Sequence, residues 1–450
     1  MIKGAVKMFR EFVGHGLMQN VLALLSVQFF RKILPLLTIP YLARVLGPSS
    51  WGLVAIFQSL AMCTVLVIEF GFQLSATRQI ARSRNSGESV AGVFAGVLGA
   101  QMVLAVCAVS GILLFSPLVP VLKEHPAMLA SCLLWAVAEG INPIWYFLGM
   151  ERMKIVATLE ICSKTAAAVA MFALVHSPDD TGIVMALQAI APLLSIVAAL
   201  WIVYRDIPFQ LPSVALVRDA LVTGWPMFVM RSAESLYTLA NAFVLGMFAG
   251  PTVVGYFAGP EKISRALVGV FNPVRETLYP RISKLVHTSP AQASRLARIG
   301  MIVTGSGGLL MGVFVFCAAP FLVKIVLGAQ FGPAVGVLRM LAILPPLISV
   351  TQSVGMQWLL PLGKEHAVTR ILVMAGMINL VLAFVLVPKH AHIGMAWAVI
   401  CAEAFVSVCM IYLAVTDRDH RMPLRRQASA EDADFAAEYE AIESGSPGAL

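Results

Sequence analysis

The 450-residue chain is 59% apolar and only 12% charged, with a formal net charge of +8 and a mean hydropathy of +0.85. A soluble domain carries about twice that share of charge. Composition therefore excludes a soluble enzyme and points to an all-α, polytopic membrane protein.

The basic N-terminus (Lys3, Lys7, Arg10) runs into a retained first span and not a signal peptide, because no short apolar core with a small-residue cleavage site follows. Breaking the apolar sequence at Pro, Gly and charge clusters predicts twelve spans, at about 18–43, 50–71, 89–115, 127–149, 155–175, 182–204, 218–248, 252–278, 298–326, 334–360, 367–388 and 393–415. The seventh and eighth separate at "AGP" (Ala249 to Pro251), since 218–278 is too long for one crossing. The seven cysteines all lie in apolar runs without a CxxC pair and read as packing residues.

Lysine and arginine set the orientation. With the N-terminus inside, twenty basic residues fall on inner segments, and only Arg44, Lys123, Lys324 and Lys389 on outer ones. By the positive-inside rule both termini are cytoplasmic. The positive charge is thus an inner-face anchor and not a nucleic-acid footprint. Beyond Arg426 the chain turns acidic, which reads as a disordered cytoplasmic tail over 416–450.

A shift of 203 residues lays "GPSSWG" (Gly47 to Gly52) over "GPTVVG" (Gly250 to Gly255), with seven identities in 32 over residues 47–78. Each copy sits on the outer turn between the first and second span of a six-span half. An even count per half predicts parallel repeats about an axis along the membrane normal. The expected lobes are 1–204 and 218–415, joined by a linker over 205–217.

Charge at membrane depth is costly and normally faces a cavity or a partner. Arg31 lies about halfway along the first span, Arg231 and Glu234 along the seventh, and Lys262 and Arg265 along the eighth. Glu139, Asn379 and Glu403 reach similar depth. Glu261, Arg265, Asn272 and Arg275 recur at helical spacing on the eighth span, as do Arg231, Glu234, Thr238 and Asn241 on the seventh. These faces are expected to line a wet, basic cavity between the halves, suited to a phosphate or diphosphate. Two simpler roles stay open: Glu160 and Lys164 have the i, i+4 spacing of a structural ion pair, and Arg231 and Glu234 can neutralise each other. Arg31, Lys262 and Arg265 are the leading substrate-binding residues. No metal ligand set is expected, since the His390/His392 pair has no carboxylate beside it, and no nucleotide loop GxxxxGK[ST] occurs.

The stretches "PLLTIPYLARVLGPSSWGLVAIFQS" and "FGFQLSATRQIA", with "LGAQFGPAVGVLRMLA" and "VPKHAHIGMAWAVICAE" further on, resemble the signatures of Wzx-type polysaccharide flippases of the multidrug/oligosaccharidyl-lipid/polysaccharide (MOP) exporter superfamily. The resemblance covers about residues 18–412. It implies a two-lobed fold of twelve helices in a bacterial inner membrane. The implied activity is flipping of undecaprenyl-diphosphate-linked oligosaccharide by alternating access through a cationic cavity. An H+ or Na+ gradient or the membrane potential would drive it, with Glu234, Glu403 and Glu139 as coupling positions and no other cofactor. Implied partners are membrane lipid and polysaccharide-assembly proteins, with no nucleic acid. In related flippases basic residues of spans one, two, seven and eight line the cavity. Here Arg31, Arg231, Lys262 and Arg265 match, but the second span offers only Gln58, Ser59 and Glu69. The alternatives are a lipid II flippase, a drug/cation antiporter of the same superfamily, and a membrane polymerase or glycosyltransferase. Short outer loops argue against the last.

Overall fold

The computed structural model describes residues 15–86 and 89–416. The N-terminal basic cluster, all of the expected tail but Thr416, and the side chains of Arg31, Glu234, Asn272 and Arg275 lie outside the described residues. Every regular element among the described residues is helical. Among the described residues, eight segments are long and apolar enough to cross a membrane. Their outward faces are apolar too: Leu114, Leu310 and Phe321 stand 65–73% exposed, as lipid contact requires.

The first half comprises α1 (His15–Glu69), α2 (Phe72–Ser86), α3 (Val90–Phe115), α4 (Pro126–Gly140), α5 (Ile144–Gly149), α6 (Met153–Leu174) and α7 (Thr181–Asp206). The second comprises α8 (Val214–Leu239), α9 (Asn241–Phe248), α10 (Pro251–Val268), α11 (Asn272–Thr288), α12 (Pro290–Leu322), α13 (Ala334–Leu341), α14 (Leu344–Val350) and α15 (Glu365–Thr416). Both α1 and α15 are too long for one crossing, and each is broken inside. Gly47 adopts φ 70°, ψ 176°, a conformation glycine reaches without strain, so the chain bends just before Pro48. Ala391 takes φ 49° and bends α15 three residues after Pro388. Gly47 thus divides α1 into a first arm, residues 15–46, and a second arm, residues 48–69.

Several expected boundaries differ from the structure: the fourth span breaks after Gly140, the seventh after Leu239 and the tenth after Leu341. The eighth span, expected as one helix over 252–278, is interrupted: α10 stops at Val268, a 3-10 turn covers Gly269–Phe271, and α11 starts anew with Pro273 in its first turn. Proline has no N–H to donate to the preceding turn. Beyond it, α11 stays helical to Thr288, and α12 begins at Pro290, eight residues before the expected start. Hydropathy follows the apolar crossing, so these charged helical extensions gave no signal of their own.

One core gathers Trp145, Tyr146 and Phe147 of the first half together with Ala220 of α8, and another, within the second half, surrounds Ile282, Trp358 and Met410. A third core is shared, with Trp51, Phe57, Phe257 and Phe331 packed together. The repeated joints meet within this shared region. A Cβ added at Gly52 would lie 1.8 Å from the Pro251 carbonyl oxygen, and one added at Gly255 would lie 2.1 Å from that of Pro48. The two G-P-x-x-x-G copies thus cross backbone to backbone. Arg44 reinforces the same end by donating to the Ile325 carbonyl of the other half.

Gly52→Ala should cost about 1–3 kcal/mol, the usual penalty of overpacking, in thermal unfolding of the detergent-solubilised protein. Gly111→Ala, where a Cβ would meet nothing within 4 Å, should be neutral or slightly stabilising. Equal effects of the two substitutions would refute the crossing.

Candidate functional site

The second arm of α1 touches the other half at its start, its middle and its far end. At its start Gly52 meets Pro251 and Gly255. Farther on, the Ser59 hydroxyl donates to the Leu239 carbonyl and accepts from the Phe243 N–H, the latter at 3.2 Å. Those two groups would bond each other in an unbroken helix. Ser59 has entered the i→i−4 ladder and taken both ends of the bond, a recognised cause of helix kinking, at the point where α8 gives way to α9. At the far end, Phe70 stacks on Phe228 with ring centroids 4.5 Å apart.

Between these ends the halves line an open cavity of about 650 Å³. Its first-half wall includes Trp51, Gln58, Trp135, Glu139, Asn142, Glu160, Lys164 and Gln188; the second-half wall is chiefly Glu261, Lys262 and Arg265 from α10. Lys262 sits seven residues, about 10 Å, along α10 from the Gly255 crossing. Its ammonium donates to Gln58 Oε1 at 2.6 Å and lies 4.5 Å from the centre of the Trp51 ring. Gln58 in turn donates through Nε2 to Gln188 Oε1 at 3.1 Å. A lysine of one half is therefore held by a neutral amide and an aromatic ring of the other, while the charge of neighbouring Glu261 also acts on it.

Arg265 is differently placed. Its Nε and Nη2 both donate to Glu261 Oε1, at 3.2 and 3.1 Å. Asn241 is buried on α9 and donates to the same oxygen at 2.9 Å, fixing the carboxylate from behind. Lys164 and Glu160 pair at 3.7 Å, and both line the cavity. Among the described lining residues, three acidic side chains balance three basic ones, and Lys262 is the cation with no ion pair found, Glu261 acting on it only at longer range. Two of the three described basic lining residues, Lys262 and Arg265, come from α10.

The other expected site residues are dispersed. Arg231 pairs with Glu69 across the seam, and its guanidinium also donates to Gln73 Oε1 at 3.1 Å; it does not line the cavity. Glu139 lines the cavity, whereas Glu403 is 3% exposed inside the second half and does not. Arg31 lies on the first arm of α1, Glu234 on α8, and Asn272 and Arg275 on α11. Because the 3-10 turn separates α11 from α10, the expected stripe from Glu261 to Arg275 does not follow one continuous helix. Sequence reasoning missed Gln188, Asn142 and Trp135 as lining residues. Neutral amides and aromatics inside apolar runs raise no alarm of the kind a charge does.

Residues 17–286 match the model of the polysaccharide biosynthesis protein family. A putative O-antigen transporter of Escherichia coli (strain K12) is 32% identical over 398 residues, 88% of this chain and 96% of that one. The chain belongs to the polysaccharide biosynthesis protein family. Another putative O-antigen transporter, from Shigella dysenteriae, is 27% identical over 402 residues, 87% of this chain and 98% of its own length. Among solved structures, the lipid II flippase MurJ in an inward closed conformation superposes with a TM-score of 0.67 at 15% identity, covering 88% of each chain. An inward-facing MATE multidrug transporter of the MOP superfamily gives 0.58 at 15% identity, over 86% of this chain and 99% of that one. These likenesses establish the MOP fold. With that family and its transporter relatives, the protein is a multi-pass membrane transporter and not an enzyme.

The Arg231–Glu69 pair should behave as a structural clasp. A double-mutant cycle of Arg231→Gln and Glu69→Gln should give a coupling energy of about 0.5–3 kcal/mol in thermal stability. Strict additivity would show that the two side chains do not interact.

Proposed function

We propose that this family member flips an undecaprenyl-diphosphate-linked oligosaccharide across the bacterial inner membrane by alternating access. The observation that carries this reading is Lys262: a cation facing a cavity at membrane depth, held by an amide and an indole ring, with no ion pair among the described residues. Burying a charge without an opposite partner is unfavourable, and a transient anionic ligand supplies the missing one. A diphosphate has the charge to do so, and Arg265, one helical turn away, presents a planar guanidinium to a second phosphoryl group.

In this reading the diphosphate engages Lys262 and Arg265 from α10 and Arg31 from the first arm of α1, while the polyprenyl chain stays in lipid. The lobes, 1–204 and 218–415 with twelve spans between them, rock about the α1 seam. Both termini are cytoplasmic, as the distribution of lysine and arginine favours. The crossing of Gly52 and Gly255 then closes the outer end, so the described state receives substrate from the cytoplasm. Drawing Lys262 toward a diphosphate loosens its hold on Gln58 and Trp51, which weakens the closed seam and favours the opposite state. Glu139 in the cavity wall is the coupling position for H+ or Na+; transport that persists in proteoliposomes with every ion gradient collapsed would rule out that role.

Lys262→Ala, Arg265→Ala and Arg31→Ala should each lower glycan export by about tenfold or more, the equivalent of one charge-assisted hydrogen bond, with membrane insertion unchanged. Arg339→Ala is the control: its guanidinium lies 5.7 Å from the Phe316 ring, away from the cavity. Undiminished export by the three cavity variants would overturn the assignment.

A further inference from the structure

A second, smaller cavity lies within the second half, between α12, the π-helix Thr351–Leu359 that follows α14, and the last turns of α15. Its volume is about 220 Å³, and Met301, Gly305, Val354, Ile411 and Val415 are in its wall. It shares no lining residue with the large cavity. Ser353 supplies the one polar side chain of the lining, and its hydroxyl is already engaged with the Ser349 carbonyl, at 2.7 Å, and with Thr304 Oγ1. On α12 the space is left by a missing side chain: a Cβ added at Gly305 would meet nothing within 4 Å. An apolar cavity of about 150 Å³ holds a benzene-sized guest, so this one has room for a stretch of hydrocarbon chain.

A cation stands on the same face of α12. Arg298, Met301 and Gly305 follow i, i+3, i+7, the spacing of one helical stripe. The Arg298 Nε is buried with no hydrogen-bond partner among the described residues. Ile282, Val368 and Ala414 pack into one core at this end of the second half, where Arg281, Lys284 and Arg370 stand exposed with Glu365 among them. Val415 is one residue from the end of α15, so the cavity lies close to the membrane surface. That surface is the cytoplasmic one in the orientation proposed above. The seven residues from Arg298 to Gly305 span about 10 Å, more than the headgroup layer of roughly 5–7 Å. A phosphate held at Arg298 therefore has its acyl chain at the depth of the cavity.

We propose that this cavity seats one acyl chain of an anionic glycerophospholipid of the inner leaflet, with the lipid phosphate on Arg298, and that the lipid joins α12 to α15 as a resident part of the second half. Basic clefts between membrane helices on the cytoplasmic side take such head groups, and a guanidinium fork matches a phosphate. A headgroup bearing an ammonium would meet the surrounding arginines and lysine at like charge. The polyprenyl chain of the substrate is a poorer occupant, because its diphosphate is assigned to the other cavity.

The test uses full-length protein, delipidated in detergent and supplied with one of three probes: phosphatidylglycerol, phosphatidylethanolamine with the same acyl chains, or a polyprenyl monophosphate. Retained lipid is counted by native mass spectrometry, and thermal unfolding is followed in parallel. The wild-type protein should retain phosphatidylglycerol about fivefold or more over phosphatidylethanolamine, as one basic residue at a lipid headgroup allows. Arg298→Gln should bring that ratio toward one. Gly305→Leu fills the space and should remove most of the retained phosphatidylglycerol, while lipid-free unfolding stays unchanged or moves to higher temperature. Equal retention of the two phospholipids, an Arg298→Gln variant that keeps the wild-type ratio, or a Gly305→Leu variant that retains as much lipid would each overturn the site. Gly305-dependent retention of the polyprenyl phosphate in preference to phosphatidylglycerol would give the cavity to the substrate's chain and overturn it too. If Arg298→Gln fails to fold, the wild-type ratio and Gly305→Leu decide.

Discussion

The structure depends on a single helical arm, residues 48–69 of α1, that must pack against the second half of the chain at its start, its middle and its far end. At 1.5 Å per residue, the stretch from Gly52 to Glu69 covers about 26 Å, most of a hydrocarbon core. Each contact along it uses a different physical device. Glycine lets two backbones cross, the Ser59 hydroxyl replaces a helical hydrogen bond, Gln58 accepts from an ammonium group, and Glu69 neutralises a guanidinium. Inside a membrane, apolar packing gains nothing from excluding water, so close backbone approach and buried polar bonds have to hold such a seam.

The same arm explains how a cavity cation is kept in an apolar protein. Lys262 is not left bare: the face of Trp51 and the Gln58 oxygen stabilise its charge without neutralising it. Arg265, by contrast, is restrained by Glu261, which Asn241 holds in place. One cation is available and the other is kept in reserve one turn along. Because the groups that hold Lys262 belong to the opposite half, ligand binding and the relation of the halves draw on the same interactions. A site built from one half alone would lack that link.

Much of the fold was legible in the sequence, and for physical reasons. Long apolar runs, the bend at Gly47–Pro48 and the joint at Gly250–Pro251 all announce themselves locally. Lys262 and Arg265 were legible for the same reason: charge in the middle of an apolar run has few roles. What escaped depends on partners distant in the chain. Arg231 pairs with Glu69, 162 residues earlier in the chain, which no local spacing announces. Nothing local shows that the two G-P-x-x-x-G copies lie against each other, or that Ser59 occupies a gap in another helix. The absence of a basic residue midway along the second span looked like a departure from the family pattern. In the fold that position is filled by Gln58, which holds Lys262 instead of adding a charge of its own.

The account stands or falls on whether Lys262 is the anion-binding centre of the cavity. The most direct measurement is the affinity of the purified protein for a polyprenyl diphosphate, followed through the fluorescence of Trp51 after the other tryptophans are replaced by phenylalanine. Diphosphate should change the Trp51 signal as the ammonium leaves the ring, and Lys262→Ala should weaken binding by about tenfold or more, as loss of a charge-assisted bond requires. Unchanged affinity in Lys262→Ala, with the variant folded and inserted normally, would contradict it.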